Sequence, residues 1–302
     1  MSAPSTRSLS GSAFATLLLI AFMMGANHVA ARLAFDHGVS VSTAVLFRSG
    51  ATALVVWLIV RMAGLPVNLS SGQKRGLLKI GVLISVQSLC LYSAVARLPV
   101  ALALLAFNTY PLWTALWART LKAERVEPAL LRAMPVLLLG LALALDVAGA
   151  ASGLGASAHW GRIGAGVAFA LAAAASFGLA LVFTQHETVG LDGRMRTAAT
   201  MAIVALAALV GVVGQGGWSL PQAPAGWWGL LGLTVLYGTA FTIMFTVLPR
   251  LGVVGGSPIM NVEPIFALLL AWAVLGQQVA PVQVLGGLLV VATVMWLGLR
   301  RR

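Results

Sequence analysis

Charge is what this sequence has least of. Lys, Arg, Asp and Glu together make up 9% of its 302 residues, against 60% hydrophobic residues and a mean hydropathy of +0.98. That is too little charge to cover the surface of a water-soluble domain of this length. One cysteine, Cys90, excludes an internal disulfide, and its place in an apolar run assigns it to packing. The four histidines stand far apart, at 28, 37, 159 and 186, and none joins acids or cysteines at a metal-ligand spacing. There is no Ser/His/Asp set at one depth and no Walker-type phosphate loop, so an embedded enzyme has little support and neither metal nor cofactor is implied. No run alternates apolar with polar at a period of two, which argues against a β-barrel.

What the chain has in quantity is long apolar runs, such as Phe14 to Met24, Ala51 to Val60, Met134 to Leu145 and Val282 to Leu299. About 20 such residues make a helix long enough to cross the hydrocarbon, which gives roughly ten spans. They are expected near 12–34, 41–61, 76–96, 99–121, 130–148, 162–184, 196–214, 227–248, 253–275 and 282–299. The fold class is therefore an all-α membrane protein.

The net charge of +12 reads as topology and not as affinity for nucleic acid. With the N-terminus in the cytoplasm, that side holds Arg7, Arg61, Lys74, Arg75, Lys79, Arg119, Lys122, Arg125, Arg132, Arg194, Arg196, Arg250, Arg300, Arg301 and Arg302. These are 15 of the 19 basic residues; Arg32, Arg97 and Arg162 face the other side, and Arg48 lies inside a span. The positive-inside rule then places both termini in the cytoplasm. Arg32 is expected to snorkel to the external surface. The polar lead from Ser2 to Ser12, followed by a long apolar run, reads as an uncleaved first helix.

The chain is also two copies of one unit. Arg97, Asn108, Pro111, Ala118 and Pro128 recur as Arg250, Asn261, Pro264, Ala271 and Pro281, each 153 residues on, and the same offset carries Gly25 onto Gly178. Register held over that length marks a true repeat. The first repeat spans 1–148, a Gly/Ser/Ala-rich connector 149–161, and the second repeat 162–302. Five spans per copy is an odd number, so the second copy is inverted. Two inverted five-helix repeats form the architecture of secondary transporters, with a solute site between the repeats near the midplane.

Several polar groups sit deep in these spans. Asn27 and His28 follow Gly25 in span one, where a helix-to-helix hydrogen bond is the plainer expectation. Arg48 in span two has Met201 as its counterpart and must face the bundle interior, for structural pairing or for solute contact. Span three carries Gln87 near the midplane and Tyr92 beyond it. Span four carries Phe107-Asn108-Thr109-Tyr110-Pro111, with Trp113 one turn on, and Pro111 removes a backbone hydrogen bond there. Span nine repeats the pattern as Asn261-Val262-Glu263-Pro264, with Glu263 in place of Tyr110. Glu263 is the one carboxylate read as deep in the bilayer, and its uptake and release of a proton would give a means of coupling. Trp218, Trp227 and Trp228 are expected at a membrane boundary.

With these residues in hand, the sequence resembles the drug/metabolite transporter superfamily, specifically the ten-helix type built from two EamA repeats. The resemblance rests on Phe22 to Asn27, Tyr110-Pro111 with Glu124, Asn261 to Pro264, Gly276-Gln277 and Gly286-Gly287. Its implication is a bacterial inner-membrane carrier of small metabolites, most similar to exporters of aromatic amino acids. The family usually has Gly-Glu where this chain has Gly276-Gln277, which implies that the role of that acid is absent.

The expected site is a mostly apolar central cavity. Asn27, Gln87, Asn108, Tyr110, Tyr237, Asn261 and Glu263 would supply polar edges, and Met23, Trp113, Phe177, Phe241 and Phe266 would stack against an apolar side chain. The expected partners are amino acids and the lipid bilayer, with a single chain sufficient for transport. A lipid carrier or flippase of the same fold is the competing reading.

Overall fold

A computed structural model of the chain describes residues 11–65, 69–123, 128–149, 153, 155–246 and 262–300. Within them the chain forms α1 (Gly11–Asp36), α2 (Val41–Met62), α3 (Ser71–Val95), α4 (Val100–Phe107), α5 (Tyr110–Lys122), α6 (Pro128–Ala144), α7 (Ala156–Glu187), α8 (Gly193–Gly214), α9 (Pro224–Thr246), α10 (Glu263–Leu275) and α11 (Pro281–Arg300). Seven segments are long and apolar enough to cross a bilayer, α4 and α5 counting as one, and α6, α10 and α11 are shorter apolar helices. Together they account for ten spans as two inverted five-helix repeats. Helix α7 starts at Ala156, so the second half of the expected 149–161 connector is helical.

Local chemistry sets several helix starts. Ser40 accepts the Thr43 N–H to open α2, and Ser70 and Gln73 form a reciprocal capping box on α3. Asp192 accepts the Arg194 N–H at the head of α8. The break in span four falls between α4 and α5, just before Pro111, whose ring leaves the Phe107 carbonyl without an N–H from four residues on. Helix α10 has the same start, with Val262 in the same backbone conformation as Thr109 and Pro264 in the first turn.

The helices pack by exchange between the repeats. Helix α2 crosses α8, and α6 crosses α11; α3 lies on α7 as α9 lies on α1, and α5 lies on α7 as α10 lies on α1. Each pairing is either its own two-fold mate or has one. Glycines set the closest approaches, and they too come in mates. A Cβ on Gly25 would stand 3.0 Å from the Ala267 nitrogen and the Glu263 carbonyl, and one on Gly178 would stand 2.7 Å from the Thr114 nitrogen. Thr114 and Ala267 are themselves 153 apart. Likewise Gly76 is pressed on Glu187, and Gly229 on Ala34.

The helix ends obey the same symmetry. Ala123 closes α5 at φ 53° and Gly276 closes α10 at φ 64°, their N–H groups returning to the carbonyls of Ala118 and Ala271. Arg32 does more than reach for the surface. It pairs with Asp36 at 2.9 Å and donates to the carbonyls of Val95 and Leu98 at 3.1 and 3.2 Å, closing the end of α3. Glu187 is likewise paired, with Lys79 of α3 at 2.9 Å. Trp218, Trp227 and Trp228 are exposed, 48% or more in each case, as an interfacial belt requires.

The glycine contacts give a signed test. Gly178→Ala pushes a methyl against backbone and is expected to cost about 1–3 kcal/mol, read as a lower melting temperature in detergent. Gly50→Ala meets nothing within 4 Å and is expected to be neutral or to stabilise by about 0.5–1 kcal/mol.

Candidate functional site

The deepest polar groups of the first repeat converge with two from the second. From α1, Asn27 is fully buried and His28 is 3% exposed; from α2, Arg48 is also 3% exposed. The Tyr92 hydroxyl of α3 donates to Asn27 Oδ1 at 2.9 Å, which is the helix-to-helix bond expected for Asn27. His28 Nε2 lies 3.3 Å from Glu263 Oε1 at the start of α10, and its ring meets that of Tyr92 with centroids 5.5 Å apart.

Arg48 meets the same tyrosine. Its guanidinium carbon stands 4.7 Å from the Tyr92 ring centroid and 3.8 Å from that of Tyr237 on α9. Arg48 Nη2 donates to Ser88 Oγ at 2.9 Å, and Ser88 donates to Gln87 Oε1 at 3.3 Å. The Tyr237 hydroxyl donates to Met201 Sδ at 3.8 Å, and the ring of Phe241 lies 4.4 Å from its own.

An arginine and a His–Glu pair are therefore gathered around one tyrosine inside the bundle. An arginine at the middle of a spanning helix costs about 2.5–3.5 kcal/mol on insertion scales; ring stacking in a desolvated site returns about 2 kcal/mol. Polar atoms remain unused: the donors Asn27 Nδ2 and Arg48 Nε, and the ring nitrogen His28 Nδ1, are buried without a hydrogen-bond partner. Unused donors of this kind are costly unless something else engages them.

A second group is aromatic. Phe107, Tyr110 and Phe177 meet with centroids 5.1–5.7 Å apart, and Trp113 stacks on Trp117 at 6.4 Å while its Cβ stands where a Cβ on Gly178 would come within 3.0 Å. Asn108 is buried at the end of α4, its N–H bonded to the Leu104 carbonyl. Met23 packs with Ala13, Leu17, Ile20 and Ala240, and Phe266 meets Phe22 edge-on at 5.6 Å. Asn261 and Glu124 lie outside the described residues. A cavity of about 210 Å³ lies between α4, α10 and α11, lined by Leu105, Ile265, Leu268 and Val291 among others, and none of the candidates among the described residues borders it.

Of the candidates, the polar group gathers Asn27, Gln87, Tyr237, Phe241 and Glu263, and the aromatic group Tyr110, Trp113 and Phe177. The site also takes in His28, Arg48, Ser88 and Tyr92, which the expected cavity did not include. Arg48 carried a signal in the sequence, a lone cation inside an apolar span. Tyr92 carried none, because only the packing of α3 on α1 and α2 brings it against both Arg48 and His28. Gln277 has a role the sequence did not show: its Oε1 accepts the Val100 N–H at 3.0 Å and caps α4.

The EamA family model matches residues 11–145 and 164–299, one match per repeat. The chain belongs to the EamA-like transporter family. Membership makes it a multi-pass membrane transporter of small metabolites, in a family of transporters and not of enzymes. A solved crystal structure, titled only as that of a protein, is 19% identical and covers 95% of this chain and 99% of its own, with a TM-score of 0.58; that likeness is one of fold. No curated protein matches the chain.

The bond at the centre of the polar group can be tested in this EamA-family protein. Tyr92→Phe removes the donor from buried Asn27 Oδ1, and a loss of about 1–3 kcal/mol is expected. The measurement is thermal unfolding of the purified protein. The double variant Asn27→Leu, Tyr92→Phe should recover part of the loss, since no acceptor is then left bare.

Proposed function

We propose that this EamA-family transporter exports amino acids, aromatic and other neutral ones, and similar small metabolites, or facilitates their passage, by alternating access between its inverted repeats. The observation that carries the reading is the division of the interior into a polar group and an aromatic group. An amphiphilic solute has the same division. Tyr110 and Glu263 hold equivalent positions in the two repeats, and the helix entering Tyr110, α4, packs on α10, which begins at Glu263. The polar and aromatic groups therefore approach each other where the repeats meet, and a solute's head and body would engage them in turn.

The basic residues listed above support a bacterial inner-membrane setting with both termini in the cytoplasm. Since one chain already holds both halves of a two-fold transport unit, a monomer suffices. The binding residues in this reading are Asn27, Gln87, Asn108, Tyr110, Trp113, Phe177, Tyr237, Phe241, Asn261 and Glu263, with Met23 and Phe266 more remote, around a path that the solute itself opens.

Counterflow in liposomes holding only the purified protein tests this. Vesicles loaded with unlabelled amino acid should take up labelled phenylalanine, tryptophan and threonine without any ion gradient, and should not take up lysine. No entry of any of them, with the protein shown to be folded, overturns the amino acid reading and favours a lipid or other metabolite carrier.

A further inference from the structure

We propose that Arg48 binds the carboxylate of the transported solute, so that the protein accepts solutes with a free carboxylate and rejects the same bodies without one. This rests on the amino acid reading above and adds the group that is recognised and the residue that recognises it.

The argument starts from what surrounds the guanidinium. An arginine presents five N–H donors in one plane, and here aromatic rings approach it from Tyr92 and Tyr237, 4.7 and 3.8 Å from its central carbon. Both rings lie against the guanidinium, and the donors it does not use there remain for hydrogen bonding. Ser88 takes one Nη2 donor, while Nε, buried with the rest of the side chain, has no partner. Among the described residues no carboxylate lies within ion-pair distance of Arg48. A buried cation held between rings, with Nε unpartnered and no acid in contact, suits a planar acceptor with two oxygens, the bidentate match that carboxylates make with arginine.

The neighbouring groups fit the rest of an amino acid. Glu263 stands 3.3 Å from His28, whose ring meets that of Tyr92, and keeps 21% of its side chain accessible. It can accept from an ammonium while Arg48 holds the carboxylate. Asn27 Nδ2, fully buried, is a further unpartnered donor beside the same tyrosine. The two-fold mate of Arg48 is Met201, and that of His28 is Leu181. The recognition is therefore built once, in the half of the bundle nearer the turn between α1 and α2.

The counterflow vesicles supply the test, with labelled phenylalanine as the reporter and unlabelled analogues as competitors. In the unaltered protein 3-phenylpropionate should compete, whereas phenethylamine and phenylalaninamide should not. Arg48→Met should lower phenylalanine entry about tenfold or more, the size expected for losing a hydrogen bond to a charged group, and Arg48→Lys should restore part of it. A residue that only held the bundle together would change the rate and leave the competitor ranking alone, so the ranking is the decisive readout. Should Arg48→Met fail to fold, Arg48→Lys carries the test: a weaker preference for 3-phenylpropionate over phenethylamine is expected, and an unchanged ranking overturns the proposal. Equal competition by phenethylamine, or an Arg48→Met variant that still prefers carboxylates, overturns the proposal while leaving amino acid transport standing. Failure of every labelled amino acid to enter overturns both.

Discussion

Close backbone contact at glycine is the constraint on which the rest of this structure depends. In hydrocarbon, helices gain little by hiding apolar side chains from one another, because the lipid is as apolar as they are. Association then rests on dispersion between well-fitted surfaces, and small residues let two helices approach closely enough to gain it. At Gly25 and Gly178 the contact is made on backbone atoms of α10 and α5, so these glycines join the first span of each repeat to the half-helix of the other. Neither repeat could close its own bundle without its partner, because the strongest pairings all run between repeats.

The backbone keeps the two-fold and the side chains break it. Half-helices α5 and α10 start alike and end alike, yet one opens on Tyr110 and the other on Glu263. Arg48 and Met201 hold equivalent places, and Tyr237 joins them directly, its ring against the guanidinium and its hydroxyl on the thioether. Symmetric packing would give two related conformations of similar energy, which the proposed alternating access requires. An asymmetric interior gives the solute one preferred way to lie within them.

The repeat, the break before Pro111, the matching proline at the start of α10, and the depth of Asn27, Arg48 and Glu263 were all legible in the sequence, since each depends on spacing along one chain. What spacing cannot convey is azimuth between helices. Gln87 and Tyr92 lie on one span, and only the packing of α3 on its neighbours places Tyr92 against both Arg48 and His28. The same limit hid the role of Gln277. Its side chain caps α4, distant by 177 residues, and the amide oxygen serves there without a carboxylate's charge. Arg32 was read as a surface cation, but the carbonyls that end α3 come within its reach only once α1 and α3 are packed.

The polar group also bears on how the protein remains stable with a charge inside it. Arg48 lies against two rings and donates to Ser88, but it is not neutralised by any carboxylate in contact among the described residues. A fully paired arginine would be better satisfied, and it would have nothing left to offer a solute. Complete truncation to an apolar residue would save the cost of burial and lose the recognition with it. The arrangement lies between these extremes: two aromatic rings offset much of the desolvation and leave donors for hydrogen bonding. Rings suit this purpose better than acids because their attraction is short-ranged and directional. They stabilise the cation where it stands while leaving its charge unneutralised for an anion that arrives later.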